Sequence, residues 1–251
     1  MKRILDIAFS LVGIVVMAPV CLVVALGILL TSSGPVIFRQ QRLGRGGRTF
    51  WILKFRTMVI DRLDQGCNVT EAGNDRITPF GTWLRRTKLD EIPQLLNVLR
   101  GDMSFVGPRP EVAEFANLFP QQYDRILKVR PGITHSATIK FRREEEILAA
   151  VDDPCRYYVE RVMPVKLAAY EANLESSLAH DIQTIVQTII PQLGELPWEP
   201  EYFGSANPVW QAPLDSPKIE NIPVFAAEIE AGGESVDPYL ILDNSRANVS
   251  V

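Results

Sequence analysis

Residues 89–110 read LDEIPQLLNVLRGDMSFVGPRP, and this stretch is the most informative part of the chain. Two adjacent carboxylates, Asp90 and Glu91, stand at the start of a predicted short helix that ends before Gly101. Five basic side chains flank them: Arg85, Arg86, Lys88, Arg100 and Arg109. Carboxylates beside cations that suit phosphate binding, in a chain that also has a long apolar run, suggest phosphoryl chemistry at a lipid surface.

The Asp90–Glu91 pair also has a simpler structural interpretation, in which Asp caps a helix and Glu complements its dipole. The neighbouring cations favour a chemical role, because a carboxylate that attacks a diphosphate must overcome like-charge repulsion. An ionised Asp beside a helix N-terminus, which is expected to lower its pKa, can act as a nucleophile or a metal ligand. The cations expected to offset phosphate charge are Lys54, Arg56, Arg85 and Arg109, and Mg²⁺ could serve the same purpose.

The N-terminal part of the chain contains an uncharged run from residue 7 to residue 30. As a helix this run would measure about 36 Å, against about 30 Å of bilayer hydrocarbon. Pro19 follows Ala18 near its middle and predicts a kink. Because basic residues flank both ends, the positive-inside rule favours a re-entrant helix that enters one leaflet and returns. One tilted span with a mild kink, or a cleaved signal peptide, is the alternative.

Charge is distributed unevenly along the 251 residues, whose net charge is −4. Residues 1–62 contain nine Lys or Arg and two acidic residues, which favours anionic lipid headgroups or phosphorylated substrates as ligands. Residues 192–251 contain two basic and ten acidic residues. The three cysteines form no CxxC pair, so we expect no zinc site, no disulfide framework and a reducing compartment. Walker A, dinucleotide-binding glycine and GxSxG patterns do not occur.

Short strands and a capped helix are predicted on either side of residue 60. Residues 36–38 and 49–56 form two strand candidates that could pair as a hairpin around a glycine-rich turn. Thr78-Pro79 begins a helix that runs to about Arg86, with the threonine hydroxyl as its cap.

The second half of the chain is predicted to be mainly helical. Residues 111–128 have the pattern of an amphipathic helix, and residues 156–193 that of two helical stretches broken near Pro164. The segment 194–251 is acidic and proline-rich, but its aromatic residues argue against a purely disordered tail.

Six sequence blocks, in their order and spacing, resemble the bacterial sugar transferases that are monotopic polyprenyl-phosphate phosphoglycosyl transferases. They are KFRTM at 54–58, TPFG at 78–81, LDEIPQLLNVL at 89–99, GDMS at 101–104, GPRPE at 107–111 and RPGIT at 130–134. The resemblance covers residues 1 to about 193, and so many joined blocks are not explained by chance.

The resemblance implies an α/β fold of the helix-rich α+β kind, with a small β element and amphipathic interfacial helices. Its domains would be a re-entrant membrane helix at 1–31 that breaks at Ala18-Pro19, a cytoplasmic catalytic domain at 32–193, and an acidic extension at 194–251. The expected location is the cytoplasmic face of the bacterial inner membrane. The extension has no counterpart in the minimal family, and its composition suggests that it packs across a homodimer partner.

The implied activity is transfer of a sugar 1-phosphate from a UDP-sugar to undecaprenyl phosphate, with release of UMP, as the first membrane step of surface-glycan synthesis. By the resemblance, Asp90 is the nucleophile, forms a covalent phosphosugar intermediate and contacts Mg²⁺, and Glu91 assists proton handling or metal placement. The substrate-binding set would be Lys54, Arg56, Arg85, Gln94 and Arg109. We expect no nucleic-acid partner.

Two departures from the family pattern limit these expectations. Ala18-Pro19 stands where members often have Ser-Pro, so the bend must rest on proline alone. HSATIKFR at residues 135–142 replaces a motif common in the family, so the sequence does not identify the sugar. A non-catalytic, membrane-anchored scaffold that recruits glycosyltransferases through the acidic tail is the alternative function.

Overall fold

The fold is taken from a computed structural model, which describes residues 2–59, 74–174 and 176–190. Within these ranges the chain is a helix-rich α+β structure with two small two-stranded sheets, as the sequence predicts. The predicted extension at 194–251 and its dimer interface lie outside the described residues, so both stay predictions.

The first helix, α1, comprises Lys2–Thr31 and ends where the apolar run was expected to end. Its helical structure continues through Ala18 and Pro19, so the predicted break is not seen as an interruption of the helix. By length and composition α1 is able to cross a membrane. The re-entrant path stays a prediction.

One stripe along α1 faces the rest of the molecule. Its buried residues are Asp6, Ser10, Val24 and Ile28, whose spacing follows the helical period. The rest of the surface of α1 is apolar and exposed, with large side chains at Phe9, Leu11, Val12, Val15, Val16, Leu22, Val23, Leu26, Leu29 and Leu30. Asp6 and Ser10 are buried while these large apolar side chains are exposed, which reverses the pattern of a soluble helix, as expected for contact with lipid.

Both ends of α1 are attached to the same body of the protein. Near the start, the Arg3 guanidinium donates to the carbonyls of Val98 at 2.6 Å and Leu99 at 2.9 Å. Near the end, Ile28 packs in an apolar cluster with Phe55. The helix therefore lies along the domain over its length.

An antiparallel hairpin follows α1 and confirms the two predicted strands. Its strands are β1, Ile37–Leu43, and β2, Thr49–Phe55, with Ile37 opposite Phe55. The glycine-rich turn contains a short 3₁₀ segment, Arg45–Gly47, in which Gly46 and Gly47 adopt φ of 71° and 73°. A side chain would be strained at either glycine.

The helix α2, Pro79–Thr87, begins as predicted, because the Thr78 hydroxyl accepts from the Gly81 N–H at 2.9 Å. Gly81 is packed so closely on the Thr57 backbone that no Cβ would fit. This contact fixes the start of α2 against the chain that leaves β2.

The predicted helix at Asp90 begins later than expected. Lys88 adopts a left-handed conformation with φ of 58°, and a 3₁₀ turn at Leu89–Glu91 follows. The α-helix proper, α3, is Gln94–Arg100, and Gly101 ends it at φ of 98°. The carboxylate pair therefore lies in a tight turn between two helices.

A second sheet pairs β3, Ser104–Val106, with β4, Gly132–Thr134, in parallel. A Cβ on Gly132 would collide with the backbone of Gly107, so the two segments approach more closely than side chains allow. Between these strands the predicted single helix is two short ones, α4 at Ala113–Ala116 and α5 at Pro120–Ile126. Pro120 interrupts the helix because it has no N–H to donate.

Six helical segments follow in the described part of the chain, and those before α10 complete the main apolar core. They are α6, Ser136–Lys140; α7, Glu144–Leu148; α8, Pro154–Tyr157; a π-helical turn, Tyr158–Val162; α9, Met163–Glu171; and α10, Leu178–Ile189. The predicted break near Pro164 is wrong, because the π turn accommodates the proline and the chain leaves the helix only after Glu171. Cys155 is disulfide-bonded, a pairing that runs against the expectation of no disulfide framework.

The last helix, α10, has the same reversed polarity as α1. Asp181 and Thr184 are buried, while Leu178, Ile182 and Ile189 are exposed at helical spacing. The Asp181 carboxylate forms an ion pair with Lys2 at 2.8 Å, which joins α10 to the start of α1. The two helices with exposed apolar side chains are therefore joined at the start of α1.

Candidate active site

The 3₁₀ turn after Lys88 directs the carboxylates of Asp90 and Glu91 into different environments. The Glu91 Oε1 atom accepts from Arg109 Nη2 at 2.6 Å and from Lys54 Nζ at 3.2 Å, and its Oε2 atom accepts from Arg109 Nη1 at 3.4 Å. The Asp90 side chain is 6% exposed, and its Oδ1 atom has no hydrogen-bond partner among the described residues. One carboxylate is thus committed to two cations, and the other is buried and available.

The charges around Glu91 fix its ionisation. Burial acts to raise the pKa of Glu91, but Arg109 and Lys54 outweigh it and hold the pKa well below the usual range. The same pairing raises the pKa of Arg109. Glu91 is therefore ionised at neutral pH and stabilises two neighbouring cations.

Asp90 responds in the opposite direction. Burial raises its pKa, the charge of Glu91 raises it further, and Lys54, Lys88 and Arg85 oppose the shift only in part. The expectation of a lowered pKa next to a helix N-terminus is wrong for Asp90, because burial and a neighbouring carboxylate dominate. Burial also lowers the pKa of Lys54 despite the attraction of Glu91. A cation beside Asp90 would favour its ionised form.

The structure brings some of the predicted cations to the pair and not others. Lys54 and Arg109 contact Glu91 directly, and Arg85 is close enough to affect the pKa of Asp90. Arg56 instead donates to the carbonyl and hydroxyl oxygens of Ser32 at 2.8 and 2.9 Å, at the end of α1. The role of Arg56 in phosphate binding stays a prediction.

Several buried polar atoms of the predicted substrate-binding residues have no partner in the part of the chain that the structure describes. Gln94, 1% exposed, leaves its Nε2 unpaired one helical turn after Asp90. The Nε atom of Arg85 and the Nε and Nη1 atoms of Arg56 are also buried without a hydrogen-bond partner among the described residues. Because unsatisfied buried donors are costly, such a group is suited to an anionic ligand that the donors can bind.

Sequence reasoning missed two acidic residues of α7 that pair with cations. Glu145 of α7 accepts from Arg85 Nη2 at 2.6 Å, and Glu144 accepts from the buried Lys166 at 2.7 Å. Tyr170 of α9 is buried, and its hydroxyl has no partner among the described residues. The run of three Glu at 144–146 was a visible signal, but its contact with Arg85 spans sixty residues.

The residues at the turn fit a magnesium ion only if the substrate supplies most of the ligands. Within the described ranges, no group of three or more His, Cys, Asp or Glu residues is arranged to hold a metal. Glu91 is already bound by two cations, which leaves the unpaired Oδ1 of Asp90 as the protein ligand. One carboxylate together with phosphate oxygens and water is a common Mg²⁺ environment.

A family model for the bacterial sugar transferases matches residues 1–194, and the chain belongs to this family. A UDP-glucose:undecaprenyl-phosphate glucose-1-phosphate transferase of Xanthomonas campestris pv. campestris is 36% identical over 200 residues. An exopolysaccharide production protein PSS of Rhizobium leguminosarum bv. phaseoli is 37% identical over 201 residues. A putative undecaprenyl-phosphate N-acetylgalactosaminyl 1-phosphate transferase of Bacillus subtilis (strain 168) is 42% identical over 121 residues.

The matched regions differ in how much of each relative they include. They cover 77% of this chain and 39% of the Xanthomonas protein, 77% and 95% for the Rhizobium protein, and 48% and 68% for the Bacillus protein. The shared part is thus nearly the whole Rhizobium protein but less than half of the Xanthomonas one.

Proposed function

We propose that this protein transfers a sugar 1-phosphate from a UDP-sugar to undecaprenyl phosphate in two displacement steps at Asp90. In the first, an Asp90 oxygen bonds to the β-phosphorus of the donor, and the bond from that phosphorus to the bridging oxygen breaks to release UMP. In the second, an oxygen of undecaprenyl phosphate attacks the same phosphorus and the Asp90 carboxylate is regenerated. The product is a diphosphate-linked lipid sugar.

The observation that supports this proposal is the contrast within the carboxylate pair. Asp90 Oδ1 is buried and has no partner among the described residues, so its lone pairs are available to attack phosphorus. Glu91 is fully engaged by Arg109 and Lys54 and is therefore a poor nucleophile. The names of the relatives, which include sugar-1-phosphate transferases that use undecaprenyl phosphate, support the substrate class.

The neighbouring side chains have separate tasks in this proposal. Arg109 and Lys54, with Arg85 beside them, bind phosphate oxygens. They thereby offset the repulsion between the Asp90 carboxylate and the diphosphate. Glu91 holds Arg109 and Lys54 in position, and its low pKa favours that role over proton transfer. The unpaired amide of Gln94 donates a hydrogen bond to the UDP-sugar. When bound at Asp90, Mg²⁺ would neutralise diphosphate charge.

The exposed apolar surface of α1 supports a membrane location, and the basic residues at both of its ends favour the cytoplasmic face for the catalytic domain. Both ends of α1 contact the same domain, through Arg3 at one end and Ile28 at the other. A helix attached at both ends keeps both on one side of the bilayer, in agreement with the re-entrant arrangement. A straight span would carry one end away from the domain.

The test uses the purified full chain in detergent with a panel of UDP-sugars, Mg²⁺ and no lipid acceptor. We expect one sugar that gives a covalent mass increase equal to a sugar phosphate, with one equivalent of UMP released. Asp90→Asn should give no adduct, and once undecaprenyl phosphate is added it should lose turnover by about a thousandfold or more. Intact-protein mass spectrometry and a UMP assay measure both.

The matched control is Asp124→Asn, which makes the same chemical change at an exposed residue of α5 and should form the adduct normally. Brisk turnover with acceptor but no adduct without it would reject the covalent step while leaving the transferase function intact. If no UDP-sugar gives turnover even with undecaprenyl phosphate, the scaffold alternative is favoured.

A further inference from the structure

A cavity of about 300 Å³ lies beside the start of α1, away from the carboxylate pair. Its walls come from the first two turns of α1, from the segment Val106–Pro108, from residues 128–130, and from Asn173, Leu174 and Ser176 before α10. Asp90, Glu91, Lys54 and Arg109 do not line it. The proposed reaction assigns no task to this cavity.

Cations dominate the lining of the cavity. They are Lys2, Arg3, Arg45, Lys128 and Arg130, and the acidic residue lining it is Asp6. The Asp6 carboxylate is already used, since its Oδ1 accepts from the Ser104 hydroxyl at 3.0 Å and the Phe105 N–H at 3.2 Å. The cavity therefore has a net positive charge that the adjacent carboxylate does not cancel.

Three of these cations have donors left over. Arg45 and Arg130 each use only Nε, to the carbonyls of Lys128 and Gly101 at 3.0 Å, which leaves both Nη groups of each without a partner in the described ranges. The Lys128 ammonium makes no hydrogen bond or ion pair to any described residue. Guanidinium and ammonium groups that converge on one cavity form a binding site for phosphate oxygens.

The surroundings indicate where the phosphate comes from. The cavity lies between the start of α1 and the segment before α10, the two helices with exposed apolar faces. The ion pair between Lys2 and Asp181 holds these helices together at its edge. Cations between two lipid-facing helices lie at the depth of phospholipid headgroups.

We propose that this cavity binds the phosphate of an anionic glycerophospholipid, with the acyl chains against the apolar faces of α1 and α10. The Nη groups of Arg45 and Arg130 and the ammonium of Lys128 hold the phosphate. This inference does not depend on the proposed transferase reaction. A soluble phosphate compound such as a nucleotide is the other source of the same chemistry.

The test compares lipid retention by the full chain in detergent micelles that contain equal amounts of phosphatidylglycerol and phosphatidylcholine. Native mass spectrometry counts the bound lipids for the wild type, for Arg45→Gln with Lys128→Gln, and for Arg39→Gln with Arg48→Gln. The control pair removes the same charge from exposed arginines that do not line the cavity. Thermal unfolding confirms that each variant is folded.

We expect the wild type and the control to retain phosphatidylglycerol preferentially. The cavity variant should lose that preference by about fivefold for each charge removed. An equal loss in the control would mean that the lipid is held by diffuse electrostatic attraction, and it would reject a specific site in the cavity. Retention of the preference in the cavity variant would reject the site.

Soluble competitors distinguish the two sources of phosphate. Inorganic phosphate or UDP at millimolar concentration should not displace phosphatidylglycerol from the wild type, because neither one gains contact with the apolar helix faces. Suppose instead that phosphate or UDP displaces phosphatidylglycerol from the wild type but not from the cavity variant. That result would assign the cavity to a soluble phosphate compound and overturn the lipid assignment. Loss of transferase activity in the Asp90 variants bears on neither outcome.

Discussion

The cations at the carboxylate pair and the cations at the basic cavity are used differently. Beside Asp90, Lys54 and Arg109 share the carboxylate of Glu91, and Arg85 pairs with Glu145. In the cavity, the bonds that Arg45 and Arg130 make to described residues are to backbone carbonyls. Within the described ranges, carboxylates of the protein balance the first set, and no carboxylate pairs with Arg45 or Arg130 of the second.

This difference has an energetic origin. A cation out of water must be paired, and an unpaired one costs several kcal/mol, so the more buried set requires carboxylates of its own. Cations at an open cavity keep their hydration and need none. The buried set is thereby held rigid for catalysis, as a reacting phosphate requires, while the open set depends on its ligand.

The largest effect is expected from Glu91→Gln, which leaves Arg109 and Lys54 without a shared carboxylate. We expect a loss of about 2–3 kcal/mol in unfolding free energy, below the value for a fully buried pair. The loss is smaller because the Arg109 side chain is 32% exposed. Thermal unfolding in one detergent should show a decrease on the order of 5–10 °C.

Glu145→Gln is the matched change at Arg85. Since the Glu145 side chain is 40% exposed, its loss should cost no more than about 1 kcal/mol. If the two variants unfold at the same temperature, the distinction between a buried and an open pairing at this site is wrong.

Much of the fold could be predicted because it depends on short-range chemistry. The Thr78 hydroxyl caps α2, Gly101 ends α3, and the glycine-rich turn joins two strands, and each of these signals lies within a few residues. Asp90 and Glu91 were identified by a motif, and Lys54 and Arg109 by their suitability for phosphate. The structure brings all four together.

The rest depends on contacts between distant parts of the chain. Nothing local to Arg85 indicates Glu145, which pairs with it across the fold. The pKa of Asp90 is raised chiefly by burial, and the residues next to it in sequence do not predict that burial. Arg56 shares a strand pattern with Lys54, but it contacts Ser32 beside α1. Long-range packing decided each of these.

The next largest effect on the free energy of unfolding is expected from Asp90→Asn. Because the folded pKa of Asp90 is raised above its usual value of 3.8, the stability it contributes is complete below pH 3.8 and is lost as pH rises through the folded pKa. At pH 7 the ionised group therefore destabilises the fold. Asparagine removes that charge, and we expect a gain of about 1 kcal/mol at pH 7 that shrinks toward pH 4.

Magnesium extends this measurement without reference to activity. Mg²⁺ with UDP should raise the unfolding temperature of the wild type more than that of Asp90→Asn, because the variant lacks the charged ligand. A variant less stable than the wild type at pH 7, or one that responds equally to Mg²⁺ with UDP, would contradict the account of an available carboxylate.

The smallest effect is expected from Lys128→Gln in detergent without anionic lipid. Lys128 makes no ion pair within the described ranges and stands near Arg45 and Arg130, so its removal relieves repulsion. We expect a gain in unfolding free energy of less than about 0.5 kcal/mol at low salt, which disappears near 0.5 M NaCl as the charges are screened. A loss above about 1 kcal/mol would mean that a carboxylate balances Lys128 after all. The sign of this small change thus separates a cation that stabilises the fold from one that is left for a ligand, which is the difference between the two sites.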